Sequence, residues 1–196
     1  LLNYVGVGIP LLAVGALHGS EGAGLYRWAQ LLVWIPVTVL VNAIASVYSS
    51  HIAMLRHTDI PALRRHRKQT TLRLVVLAML VSVGALALPH LVPIIFGPRW
   101  AQSGMLALLS MPAIALSLVT TPTGALPLLG RNDLQFVWEA VRVGLMLAAF
   151  AFCRMSSTSI EGTTVAFTIA LAVGYGLHWI ANEWVARRLA GAGADA

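Results

Sequence analysis

Apolar residues run along this chain in six long blocks, with most polar residues gathered into the short intervals between them. The blocks cover about residues 1–17, 25–50, 72–96, 101–121, 134–153 and 163–186. A bilayer core about 30 Å thick needs roughly 20 residues of helix at about 1.5 Å per residue. The first block only approaches that length; the other five reach it. The pattern predicts an all-α integral membrane bundle of about six transmembrane helices, with 187–196 as a cytoplasmic tail. His18–Ala23 and Gly97–Trp100 read as tight turns, and Ile60-Pro61-Ala62-Leu63 as the start of a short interfacial helix. Pro36 and Pro112 lie inside spans and should kink them, a defect tolerated where neighbouring groups satisfy the freed carbonyl.

Composition agrees with the pattern. Hydrophobic residues make up 58% of the 196 residues and charged residues only 10%, whereas soluble domains carry about 25% charged residues. Six of the thirteen basic residues, Arg56, Arg64, Arg65, Arg67, Lys68 and Arg73, fall in the single long polar interval, His51–Arg73. Short loops rich in Lys and Arg stay on the cytoplasmic side. With that loop inside and the loops alternating, the inside set also gains Arg131, Arg187 and Arg188, while the outside set holds Arg99 and Arg154. Nine basic residues against two fix the orientation and place both ends in the cytoplasm. The net charge of +6 is explained by topology and anionic headgroups. No nucleic-acid partner is expected, because no recognition module or basic recognition surface is present.

Cys153 is the only cysteine, so an intramolecular disulfide and a Cys-rich metal site are excluded, and its thiol is expected to be buried and inert. The six histidines show neither His-Glu-x-x-His nor a pair at metal-binding spacing on one helix, so no metal site is expected. No cofactor is expected either: there is no phosphate-cradling glycine loop with Lys and no Gly-x-Ser-x-Gly. The chain opens Leu1-Leu2-Asn3 without an initiator Met or a basic leader, and reads as a fragment or later part of a longer protein.

Several short motifs recur in a telling order. Gly24-Leu25-Tyr26-Arg27-Trp28-Ala29 opens a span with Pro36 about ten residues on, and a basic loop follows. Ile95-Phe96-Gly97-Pro98-Arg99-Trp100 comes after the next span, and Gly124-Ala125-Leu126-Pro127-Leu128-Leu129-Gly130-Arg131 before the one after. In this order and spacing the chain resembles the carboxy-terminal half of bacterial polysaccharide (O-antigen-type) flippases of the multidrug/oligosaccharidyl-lipid/polysaccharide exporter superfamily. The resemblance covers nearly the whole chain. It implies a cytoplasmic (inner) membrane protein of two six-helix bundles, of which this chain is one and an amino-terminal bundle the other. The implied activity is passage of a polyprenyl-diphosphate-linked oligosaccharide from the inner to the outer leaflet by alternating access, with H+ or Na+ coupling.

Five side chains are candidates for substrate binding. Gln135, Glu139 and Arg142 share one face of the fifth span, with Arg142 close to mid-membrane. A charge there costs about 2.5–3.5 kcal/mol even on the mildest insertion scale, so both charged residues must face protein or water. They either line a cavity, as substrate or coupling-ion ligands, or form an ion pair that pins the helix to a neighbour. Arg27 either snorkels to headgroups or faces the cavity. Asn42 either lines the cavity or hydrogen-bonds across helices. Two other functions stay open beside the carrier: a membrane enzyme of glycan assembly, and a multidrug exporter of the same superfamily. Enzymes of that kind need a long outer loop or a cluster of acids and histidines at one face, and the outer loops here are short, so no enzyme is expected.

Overall fold

The computed structural model describes residues 2–55, 60–122 and 132–192. They form six α-helices: α1 (Leu2–Leu55), α2 (Ile60–Ala85), α3 (Leu88–Phe96), α4 (Ala101–Thr120), α5 (Asn132–Ser156) and α6 (Ile160–Ala192). No strand occurs among the described residues. The protein is an all-α membrane bundle.

Five helices among the described residues are long and apolar enough to cross a bilayer. Six blocks become five helices because the first two lie in one element, α1. Its apolar part, Gly8–Tyr48, has 41 residues, about 60 Å of helix and twice a bilayer core. It folds back at Gly19, whose φ of 74° and ψ of −174° are non-helical. A Cβ added to Gly15 would lie 3.6 Å from the Cβ of Ala23, whereas eight residues of straight helix span about 12 Å. The reversal therefore needs one residue, where a turn over His18–Ala23 was expected. Glycine permits it because positive φ costs a residue without Cβ little. Helical dihedrals continue through Pro36, so the chain breaks at Gly19 and not at the proline.

The expected third span, 72–96, falls on two helices, α2 and α3. There is no separate interfacial helix at Ile60, since α2 runs unbroken from Ile60 to Ala85. The chain then breaks at Leu86 and Ala87 before α3, whose second residue, Pro89, supplies no amide hydrogen and crowds the preceding turn. Gly97, at φ 95°, ends α3 with its N–H donating to the Pro93 carbonyl at 3.0 Å. A single 3-10 turn, Pro98–Trp100, leads into α4. At the other end of the chain α6 continues to Ala192, six residues into the expected cytoplasmic tail. Gly124–Arg131 and Arg56 lie outside the described residues.

Helix α4 is the centre of the bundle. Ten of its twenty residues are buried, among them Leu106, Ala107, Ile114 and Leu118, and α1, α2, α3 and α6 pack around it. Close approach depends on Gly104: an added Cβ would lie 2.6 Å from the Leu88 carbonyl oxygen. The outer faces are apolar as well, with Leu12, Ile94 and Met155 at 74%, 78% and 86% exposure. A soluble protein would bury such a surface, while hydrocarbon accepts it. Serine and threonine hydroxyls bond inside their own helices, as Ser82 to Ala78, Ser110 to Leu106 and Thr164 to Ile160, which meets the bilayer's demand for internal satisfaction.

The two ends of the bundle differ. At one end, beside Gly19, Trp28 packs on Phe96 and Trp100 with ring centroids 5.3 Å apart in each pair, His18 bonds Thr163 at 2.8 Å, and Gln102 donates to Glu161. At the opposite end Tyr48 stacks on His66, and Arg67 pairs with Glu183 at 3.0 Å. That end carries the basic first turns of α2.

Candidate functional site

A cavity of about 540 Å³ lies between the two arms of α1, the end of α4, and the faces of α5 and α6. Pockets for drug-sized ligands run from about 300 to 1,000 Å³. All five residues singled out in the sequence, Arg27, Asn42, Gln135, Glu139 and Arg142, line it. The reversal at Gly19 makes this convergence possible, because it sets Gly6 and Pro10 of the first arm across the cavity from Arg27–Asn42 of the second.

Helix α5 supplies the charged wall. Arg142, ten residues into α5 and so about 15 Å from its start, donates from Nη2 to Glu139 Oε2 at 2.6 Å. Gln135 donates to the other carboxylate oxygen at 3.5 Å. The stripe read from the sequence is therefore a connected chain of side chains. It ends at Met146, which is fully buried and packs with Phe167 and Ala170 in an apolar cluster.

Arg142 is held from several sides. Its Cζ lies 4.8 Å from the Trp138 ring centroid, Tyr175 engages it through its hydroxyl, and a Cβ on Gly6 would fall 2.9 Å from Nη2. Trp138 is fixed in turn by donating its indole N–H to the Gly174 carbonyl at 2.8 Å and by stacking on His178, with centroids 4.2 Å apart. The guanidinium is thus charge-compensated and buried, at 4% exposure.

Arg27 differs. It is exposed, lines the cavity from the second arm of α1, and no ion pair to it occurs among the described residues. Asn42 is likewise exposed to the cavity, and the cross-helix hydrogen bond considered for it does not occur among the described residues. Cys153 is free and buried. No group of three or more His, Cys, Asp or Glu residues able to hold a metal occurs among the described residues.

Sequence reasoning missed Trp138, Tyr175, His178 and Gly6. Tyr175, His178 and Asn182 recur at spacings of three and four, which puts them on one face of α6. That spacing is visible in the sequence. Gly6 carried no signal, because its importance lies in contact with a guanidinium more than 130 positions away.

No family model matches this chain, and no solved structure matches it. The chain is 26% identical over 174 residues to the teichuronic acid biosynthesis protein TuaB of Bacillus subtilis (strain 168), an alignment covering 87% of this chain and 35% of that protein. It spans about a third of the length of that relative. By fold and comparison, this is a multi-pass helical membrane protein similar to a bacterial teichuronic acid biosynthesis protein.

Proposed function

We propose that this chain is one bundle of a carrier that flips a polyprenyl-diphosphate-linked oligosaccharide from the inner to the outer leaflet of a bacterial cytoplasmic membrane. The observation that carries the reading is the convergence of Arg27, Asn42, Gln135, Glu139 and Arg142 on one cavity, with Arg142 near the middle of α5. Alternating-access carriers hold their substrates near the bilayer midplane between two repeats. The similarity to a protein named for teichuronic acid biosynthesis supports a role in polysaccharide assembly, and a second bundle would close the cavity. The basic end of α2 faces the cytoplasm in this reading.

The chemistry follows from the two arginines. Exposed Arg27 is accessible to a diphosphate within the cavity. Arg142 is already paired with Glu139, so an arriving anion competes with that carboxylate, and the pair opens only when the ligand supplies the replacement charge. Release of Glu139 gives the cycle a carboxylate that can take up H+ or Na+, which couples transport to an ion gradient. Carrier function is favoured over glycan-assembly chemistry because the polar residues lie deep between helices and not at a membrane face.

The packing of Arg142 against Gly6 and Trp138 favours a second reading, in which the ion pair pins the first arm of α1 to α5. Glycan export in cells carrying Arg27→Gln or Arg142→Gln, normalised to protein level, separates the two. A carrier site loses export per molecule in both variants. Wild-type export per molecule in Arg142→Gln, with less protein in the membrane, leaves the pin as the account.

A further inference from the structure

Helix α2 sorts its residues between two sides. Leu74, Ala78 and Ala85 are buried, on the side that packs against α4. The opposite side is exposed along its length and changes character once. Its first turns carry Arg65, Lys68 and Arg73, all exposed. Leu72, Met79, Leu80 and Val83 continue the same side at helical spacings of three, four and seven, and each is 56% to 65% exposed.

Charge and length together select what covers this side. Helix α2 contains no acidic residue, and Arg65, Lys68 and Arg73 make no ion pair among the described residues, in contrast to Arg67, which Glu183 holds at 3.0 Å. Membrane orientation requires basic residues at this end, but it does not require them to stand in line above an apolar stripe. From Arg73 to Val83 is ten residues, about 15 Å of helix and half of a hydrocarbon core about 30 Å thick. The stripe is therefore as long as one leaflet is deep, and it stops where α2 does, at the break before α3. A free phosphate would engage the cations and leave the stripe bare. A zwitterionic lipid would cover the stripe and leave the cations without net compensation. A lipid with a net negative headgroup answers both.

We propose that this face of α2 is a binding site for one anionic phospholipid, its phosphate on Arg65, Lys68 and Arg73 and its acyl chains along Leu72, Met79, Leu80 and Val83. In the orientation given above the lipid belongs to the cytoplasmic leaflet. None of these residues lines the cavity between α1 and α5, so the site is separate from the one assigned to transport and stands whatever the protein carries.

The test is native mass spectrometry of the purified full-length protein, titrated with phosphatidylglycerol or phosphatidylcholine of the same chain length. Wild type is expected to retain one phosphatidylglycerol in preference to phosphatidylcholine. Each basic residue at an anionic surface contributes about fivefold in binding, so Lys68→Gln should weaken phosphatidylglycerol about fivefold and Arg65→Gln with Arg73→Gln about twentyfold, with phosphatidylcholine unchanged. The ratio of the two lipids is the readout, since a misfolded variant would lose both. Arg99→Gln with Arg154→Gln removes the same charge at exposed positions outside the proposed site and should keep the wild-type ratio. Glycerol 3-phosphate, which has the anion without the chains, should not displace the lipid. Equal retention of the two lipids by wild type overturns the site, as does an equal loss in the two double variants, which would make it a matter of net charge alone. Displacement by glycerol 3-phosphate would make the face a phosphate site and overturn the lipid. Retention of neither lipid would mean that protein covers this face in the full-length chain, and the proposal would fall.

Discussion

Glu139→Gln should be the most damaging single substitution in the cavity, and the reason lies in which charge it leaves behind. Glu139 and Arg142 are both buried, with 2.6 Å between Nη2 and Oε2. Removing one member of a buried pair costs about 3–5 kcal/mol, since the survivor is left uncompensated, and an arginine near mid-membrane alone costs about 2.5–3.5 kcal/mol. Both routes put the loss near 3 kcal/mol, a fall in Tm of roughly 6–12 °C for a chain this size. Arg142→Gln should cost less, because a lone carboxyl can neutralise itself by taking up a proton while a guanidinium cannot. The double variant Glu139→Gln with Arg142→Gln should recover most of the stability. Cys153 supplies the assay: it is the sole cysteine and is 1% exposed, so a thiol-reactive dye reports unfolding directly. A Glu139→Gln protein melting within about 2 °C of wild type, or a double variant less stable than Glu139→Gln, would refute the reasoning.

Other expectations test the same structure elsewhere. Gly6→Val should displace the Arg142 guanidinium, now 2.9 Å from the position of an added Cβ, and lower stability by about 1–3 kcal/mol in the dye assay. Gly104→Ala meets backbone at 2.6 Å, which cannot swing aside as a side chain can; it should sharply reduce the yield of folded protein in detergent. Gly19→Ala places a Cβ at φ 74° and should cost about 1–2 kcal/mol, with a Tm unchanged from wild type counting against the reversal at that residue. In a Cys153→Ser background, Ser157→Cys should label from outside intact cells with an impermeant reagent and Arg64→Cys should not; the opposite pattern would invert the topology.

The sequence alone determined that this is a helical membrane protein, because apolar runs about 20 residues long answer to the thickness of a bilayer and not to any partner. The same holds for the stripe Gln135–Glu139–Arg142, since helical periodicity places those residues on one face whatever packs there. What periodicity cannot contain is contact between distant positions. That Arg27, Asn42 and Arg142 share one cavity follows from the reversal at Gly19, which sets two arms of α1 side by side. That Arg142 is clamped while Arg27 stays exposed was decided by Gly6, Trp138 and Tyr175, whose approach comes from three different helices. His178 shows the limit most plainly: in the sequence it is one histidine among six, and only the stack on Trp138 and the absence of a partner among the described residues set it apart. Local pattern fixes which residues are polar and which face they occupy; tertiary packing fixes which of them are already satisfied.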